Sequence, residues 1–206
     1  GMGLDKRIGP QFLYAGVGYG GSCFPKDVDA FVRMGDEVGY SLDVLKEVQR
    51  INVSQKEHLM RKLQQELWVV EDKTIAVLGL AFKPGTDDVR ESPSLYFVPR
   101  LLERKARLRL WDPIAHEKFN QLHPGLSYFD TPLECATGAD AVLILTDWPE
   151  VGKMDLAKLK KAMKCPIVID GRNVFPPARL AEIGFIYHSI GRQPATHAQK
   201  GRKPRG

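Results

Sequence analysis

Thr74-Ile75-Ala76-Val77-Leu78-Gly79 is the stretch on which the fold turns. A short, uninterrupted apolar run closed by glycine reads as a strand buried on both faces. Further strands are expected over Leu108–Trp111, Ala141–Leu145, Pro166–Ile169 and Phe185–Tyr187. Helical stretches fall between them: Ser92–Arg104, about Ala115–Gln121, Leu133–Ala136, Leu156–Met163 and Pro177–Ile183. Such alternation predicts an α/β fold with a Rossmann-like parallel sheet and helices on both faces. Ligands of such sheets bind at the carboxyl ends of the strands. The loops after Leu78, Trp111, Leu145 and Ile169 are therefore the places to look.

Upstream, Glu71-Asp72-Lys73 marks a boundary, and before it the period is helical. Leu42, Leu45, Val48, Ile51, Leu59, Leu63 and Leu67 recur near helical spacing, with no glycine or proline between them. One helix from about Leu42 to Leu67 follows, nearly 40 Å long at ~1.5 Å per residue. Ser41 is expected to cap it and Asp43 to suit its first turn. A helix of that length spans two bodies or pairs with a copy of itself; packing within the chain alone is the plain alternative. Asn52 and Gln55 interrupt it with no role beyond buried hydrogen bonds. Three segments result: a helical segment 1–70, a parallel-sheet domain 71–191 and a disordered basic tail 192–206.

The net charge of +5 is local. Arg192, Lys200, Arg202, Lys203 and Arg205 carry it in a tail without acids, and the remaining charges balance at 25 against 25. No nucleic-acid face is expected on the folded part, and the tail reads as solvated. No apolar run approaches the ~18 residues of a membrane span. Cys23, Cys135 and Cys165 are scattered, which excludes a disulfide framework and a zinc-type spacing. No metal site is expected, and the setting is read as reduced and cytoplasmic.

The chemistry concentrates at Gly16-Val-Gly-Tyr-Gly-Gly-Ser-Cys23-Phe-Pro-Lys-Asp27. Glycines 16, 18 and 21 spell G-x-G-x-x-G, but no strand is expected before them and none ending in an acid after them, so the dinucleotide reading fails. A tight turn around a buried cysteine is one reading. A reactive thiol is the other. Proline opens a helix expected from Lys26 to about Met34, whose positive end would face the Cys23 sulfur. Lys26 adds a second positive charge, and Asp27 can reach a proton or water at the same place. The glycines, the helix start and the Lys-Asp pair favour the thiol.

The loop after the first expected strand, Gly79 to Ser94, is the richest of its kind. Ser92 is expected to cap the next helix with Pro93 at its first position. Capping leaves Lys83 and Arg90 unexplained. They are cations near a strand end and a helix start, where phosphates bind, or else solvated charges. Arg172, in Asp170-Gly-Arg-Asn173, occupies a similar place after a later strand. Asp112-Pro113 is read as structural, and Thr146-Asp-Trp148 is given no chemistry.

The ten residues Gly18 to Asp27 resemble the catalytic cysteine motif of the UDP-glucose/GDP-mannose dehydrogenase family. Phe-Pro-Lys-Asp is most similar to the branch that acts on UDP-glucose. Gly-Leu-Ala-Phe-Lys with Thr-Asp-Asp-Val-Arg-Glu-Ser-Pro resembles a second signature of that family. The resemblance covers nearly the whole chain apart from the tail. It implies that this is the C-terminal part of a longer protein, whose N-terminal dinucleotide-binding domain is elsewhere. It implies an NAD-dependent four-electron oxidation of UDP-glucose to the uronate, through a thiohemiacetal and thioester on Cys23, with Asp27 positioning water. It gives Arg7, Phe12, Leu13, Tyr14, Tyr19, Gly20, Phe82, Lys83 and Arg172 to the sugar nucleotide, Arg7 acting on the neighbouring subunit. Lys26 and Arg90 go to NAD. The long helix is implied to form a homodimer core. The isolated 206 residues are expected to bind UDP weakly without turnover. The alternatives are a GDP-mannose or UDP-N-acetylmannosamine dehydrogenase, or a non-catalytic nucleotide-binding or dimerisation module.

Overall fold

The structure, a computed structural model, describes residues 1–10 and 13–195. After a single 3-10 turn at Met2–Leu4 come α1 (Phe24–Glu37) and α2 (Asp43–Leu67). The sheet domain follows in alternation: β1 (Thr74–Leu78), α3 (Pro93–Glu103), β2 (Arg107–Trp111), α4 (His116–Leu122), β3 (Ser127–Tyr128), α5 (Pro132–Ala136) and β4 (Ala141–Ile144). Then come α6 (Pro149–Gly152), α7 (Leu156–Ala162), β5 (Ile167–Asp170), α8 (Pro177–Ile183) and β6 (Ile186–Ser189). The six strands are all parallel, in the order β3-β2-β1-β4-β5-β6. Strand order reverses between β1 and β4, and at such a switch point a crevice opens at the carboxyl edge.

The α/β expectation holds, and every expected strand and helix is present within a few residues. β3 was not expected; two residues are too short to show a period. The one-turn α6 was missed for the same reason. α1 begins two residues before the expected start and continues through Gly35 to Glu37. Gly35 does not break the helix. A side chain there would meet the Tyr40 carbonyl at 2.7 Å, so the residue lets the following turn fold back closely. Ser41 does not cap α2: the residue before the helix is Leu42, without a side-chain cap, and the Ser41 hydroxyl donates to the Asp43 carboxylate instead. Ser92 does cap α3, accepting from the Ser94 N–H at 3.3 Å, with Pro93 at the first position.

The core lies between the sheet and its helices. Ile75, Val77, Leu78, Leu143, Ile144 and Ile169 are fully buried on the central strands. Side chains of this kind each contribute ~1.5–3 kcal/mol of apolar burial. α2 joins this core with one half only, through Leu59, Met60, Leu63 and Leu67. Within the segment expected to be a disordered tail from residue 192, Ala195 exchanges backbone hydrogen bonds with Tyr187, both 2.9 Å, so the described chain stays bonded to the last strand up to that residue. The rest of that tail lies outside the described residues. No described helix is long and apolar enough to cross a membrane, and no group of acids, histidines and cysteines among the described residues could hold a metal ion.

Candidate functional site

Three buried carboxylate or hydroxyl clusters shape the carboxyl edge of the sheet. Asp112 follows β2 and is 3% exposed. One of its oxygens accepts from the N–H groups of Leu80 and Ala81 (2.7 and 3.0 Å) and from the Trp148 indole (3.0 Å). The other accepts from the N–H groups of Ile114 and Ala115. The Leu80 carbonyl takes the hydroxyls of Ser92 and Ser94, and the Ala81 carbonyl takes that of Thr146. Every polar group of Leu80 and Ala81 is thereby occupied, so the chain leaves β1 along a fixed path that delivers Phe82 and Lys83. Sequence reading assigned Asp112 to structure, and this network is that structure. It gave Thr146 and Trp148 no part in it, because their partners are remote in sequence.

Asp170 plays the matching role after β5. It is fully buried and accepts from the N–H groups of Arg172, Val174 and Phe175 and from the Tyr187 hydroxyl (2.8 Å). Burial pushes its carboxyl up from the ordinary range while these donors pull it down; the net direction is upward. Arg172 is thus held at the strand end, with its guanidinium on Asp147 at 2.9 Å.

The glycine stretch crosses this edge. Val17 is its anchor, with no exposed surface and a place in the main core. Gly16 lies under Arg172, whose Nη1 would be 2.9 Å from any added side chain. Gly20 has no room for one, since the Glu91 carbonyl would lie at 2.2 Å. Gly21 faces the Phe82 ring, and its N–H donates to the Arg90 carbonyl at 3.0 Å. Glu91 itself sits at a φ of +51°, a strained position for a residue with a side chain. The tertiary structure thus brings the two quoted signatures together through their backbones.

Cys23 stands at the head of α1, exposed to solvent. It takes helical dihedrals and its carbonyl accepts the Asp27 N–H at 2.8 Å. Its sulfur is 3.6 Å from the Ser22 hydroxyl and makes no cap bond to the helix. The tight turn around a buried cysteine is therefore overturned: the buried thiol of the chain is Cys135, with a pKa that burial drives far up. Asp27 lies one turn along α1 from Cys23, with Lys26 3.4 Å away. Arg90 is exposed and gripped by Asp88 through two guanidinium nitrogens. The Asp88 carboxylate bonded to it raises its pKa, and the Cys23 sulfur acts weakly in the same sense.

A cavity of about 780 Å³ opens beside this loop, lined among others by Ser22, Lys26, Asn52, Lys56, Arg90 and Glu91. Lys56 is 9% exposed, and its desolvation lowers its pKa. A second cavity of about 500 Å³ joins Leu13 and Tyr14 to Asp147, Arg172 and Arg192. Tyr19 stacks edge-on to Phe24 at 5.1 Å. Lys83 is exposed, with its ammonium 5.3 Å from the Phe82 ring centroid. Arg7 is exposed, paired with Asp5 within its own turn, and lines neither cavity. Phe12 lies outside the described residues. Of the expected site residues, Tyr19, Lys26 and Arg90 line the first cavity and Leu13, Tyr14 and Arg172 the second; Cys23, Asp27, Gly20, Phe82 and Lys83 line neither, although Gly20 packs against Glu91 and Phe82. Val17 was not singled out from sequence; Asn52, Asp112 and Asp170 were read as structural or quoted without a role, and all four shape the site.

The two G-rich signatures have counterparts in known proteins. Residues 76–177 match the UDP-binding domain of the UDP-glucose/GDP-mannose dehydrogenase family, and residues 1–54 match its central domain. The UDP-glucose 6-dehydrogenase of Pseudomonas aeruginosa is 45% identical over 208 residues, covering 97% of this chain and 46% of that protein. The structure of a UDP-glucose dehydrogenase from Pyrobaculum islandicum superposes with a TM-score of 0.81 at 37% identity, over 93% of this chain and 42% of that one. A UDP-D-ManNAc dehydrogenase from Pyrococcus horikoshii gives 0.71 at 33% identity, over 86% of this chain and 40% of that one. The chain spans about half the length of the curated relatives it matches.

Proposed function

Because this chain belongs to the UDP-glucose/GDP-mannose dehydrogenase family, we propose that it supplies the nucleophile and the UDP-binding half of an NAD-dependent UDP-glucose 6-dehydrogenase. The observation that supports this is that the glycine loop leading to the exposed Cys23 lies against Arg172 at Gly16 and is bonded to the Arg90 carbonyl at Gly21. In this reading Arg172 and Lys83 meet the diphosphate of UDP-glucose, since guanidinium and ammonium donors suit phosphate oxygens. Tyr14 and Leu13 line the path of the nucleotide, Phe12 is assigned to the same ligand by its place in the sequence alone, and Tyr19, Gly20 and Phe82 form the floor beneath the sugar. Arg7, exposed and lining neither cavity, acts on the sugar nucleotide of a second subunit. The front half of α2 is the surface for that subunit, giving a homodimer or a higher homo-oligomer.

Lys26 and Arg90 would face NAD. Two exposed cations beside a roomy cavity fit phosphates, but among the described residues no glycine fingerprint follows a strand. These residues thus fit one flank of a dinucleotide. When bound, NAD accepts the hydrides that turn a primary alcohol, in two stages, into a carboxylate. Within this chain, the Cys23 sulfur adds to the aldehyde carbon to give a thiohemiacetal, and the oxidised thioester stays on that sulfur. A thiol suits this step because its acyl form remains open to water. Asp27, one turn along α1, orients the water and takes its proton. Ser22 is the nearest hydroxyl to the sulfur.

The 206-residue chain is expected to melt at a higher temperature with UDP than with GDP, and to lose that gain on Arg172→Ala. Equal stabilisation by the two nucleotides would count against the uridine reading, and greater stabilisation by GDP would favour the GDP-mannose branch. The same residues are expected to form no NADH from UDP-glucose; measured turnover would overturn the division of labour. Substitution at Cys23 is expected to leave UDP binding intact. The UDP-N-acetylmannosamine alternative is favoured by the Pyrococcus horikoshii relative, and direct competition between the two UDP-sugars separates it.

A further inference from the structure

We infer that Asn52 is the positioning residue of the cysteine loop, fixing where the Cys23 sulfur stands relative to the sheet edge. Its side-chain oxygen accepts the Tyr19 N–H at 2.8 Å, and its amide nitrogen donates to the Tyr19 carbonyl at 3.1 Å. One amide thereby satisfies both backbone groups of a residue 33 positions away, in the manner of a strand partner. The contact is part-buried, so an unmade bond there leaves backbone groups partly shielded from water at a free-energy cost. Only an amide of this length does both tasks: aspartate keeps the acceptor and sets a second acceptor against the Tyr19 carbonyl, while alanine and leucine do neither.

The surroundings are shaped for it. Gly18 has φ +112°, and a side chain there would meet the Asn52 oxygen at 2.4 Å. Two residues beyond Tyr19, the Gly21 N–H bonds to the Arg90 carbonyl, and two residues further stands Cys23. Seven residues along α2 from Asn52, Leu59 is fully buried in the core. The helix therefore carries the position of the sheet body into the loop. Within the functional reading above, on which its catalytic meaning rests, Asn52 orients the nucleophile without touching substrate, and small misplacements of a nucleophile are costly.

The test uses the full 206-residue chain with Cys165→Ser, so that Cys23 is the accessible thiol. Asn52→Ala is expected to speed amide hydrogen exchange over residues 18–22 by about tenfold, while the β-strand amides stay protected. Iodoacetamide labelling of Cys23, followed against pH, is expected to shift its rate by about threefold. Asn52→Asp should recover part of both effects, because it retains the acceptor. A folded Asn52→Ala chain whose loop exchange and labelling profile superimpose on the parent's would overturn the inference. If that variant does not fold, Asn52→Asp decides by the same two readouts: any shift of both supports positioning, and coincidence with the parent overturns it. A parent chain that shows the expected loop behaviour but is not stabilised by UDP would sink the functional reading and leave Asn52 in its role.

Discussion

From Lys56 to Leu67, α2 presses Leu59, Met60, Leu63 and Leu67 into the core; from Asp43 to Gln55 the same helix buries no residue. Val44, Ile51 and Val53 on that front half are open to solvent. α1, which packs beside it, buries only Val32 and Gly35. Between the two helices run polar surface links, Lys46 to Asp36 at 2.7 Å and Gln49 to Asp29. Exposed ion pairs of this sort contribute ~0–1 kcal/mol. The sheet edge is held differently, by buried carboxylates with all their bonds made. In the proposed function the chemistry sits at a joint between a rim of buried carboxylate bonds, which carries Lys83, Arg90 and Arg172, and a lightly held hairpin, which carries Cys23 and Lys26. Asn52 is the place where the hairpin is fastened to the loop it carries.

That contrast can be broken most forcefully at the rim. Asp112→Asn keeps the shape, but with its oxygen left to Leu80, Ala81 and Trp148 its NH2 is set against the N–H groups of Ile114 and Ala115, so a loss of about 3 kcal/mol is expected in urea unfolding. A loss under ~1 kcal/mol would show that the rim is not held by this carboxylate.

A paired substitution along α2 sharpens it further. Leu63→Ala, at a fully buried site, is expected to cost ~2–5 kcal/mol. Val44→Ala, 78% exposed, should stay within ~0.5 kcal/mol in the same measurement. Equal losses would mean that the front half is covered in solution, as the proposed second subunit would do; light scattering on the same samples separates that outcome from a misjudged core.

The smallest effect is a pH dependence. Burial pushes the Asp140 carboxyl up, but the Thr74 N–H and the Lys164 ammonium outweigh it, and the net direction is downward. A carboxyl lowered on folding stabilises above the ordinary carboxylate range, and that stability is lost as pH falls through its lowered value. The urea midpoint of Asp140→Asn should therefore fall less between neutral and acidic pH than that of the parent. Parallel acid limbs would remove Asp140 from the account.

The strands show why so much of the fold could be read directly. Thr74–Leu78 and Ala141–Ile144 are buried on both faces, so their sequences are continuous apolar runs, and the helices between them carry their own stop signals. Ser127–Tyr128 and Pro149–Gly152 escaped because two and four residues carry no period. Ser41 misled because a serine before a helix has two ways to use its hydroxyl, and the neighbouring Asp43 carboxylate took it. The cysteine stretch was legible as chemistry, since its residue types are adjacent. Its supports were not: Asn52 and Arg90 reach the loop from 33 and 69 positions beyond Tyr19 and Gly21.

By itself, the sequence determined the parallel sheet, the long helix, the cysteine at a helix start and the cations after β1 and β5, because periodicity, caps and neighbouring residue types are local properties. Only the tertiary structure decided that Cys23 is open while Cys135 is buried, that the glycines are required by Asn52, Glu91, Phe82 and Arg172, and that half of α2 stays outside the core. Those depend on which distant surfaces meet, and burial and hydrogen-bond partnership exist only once the chain has closed on itself.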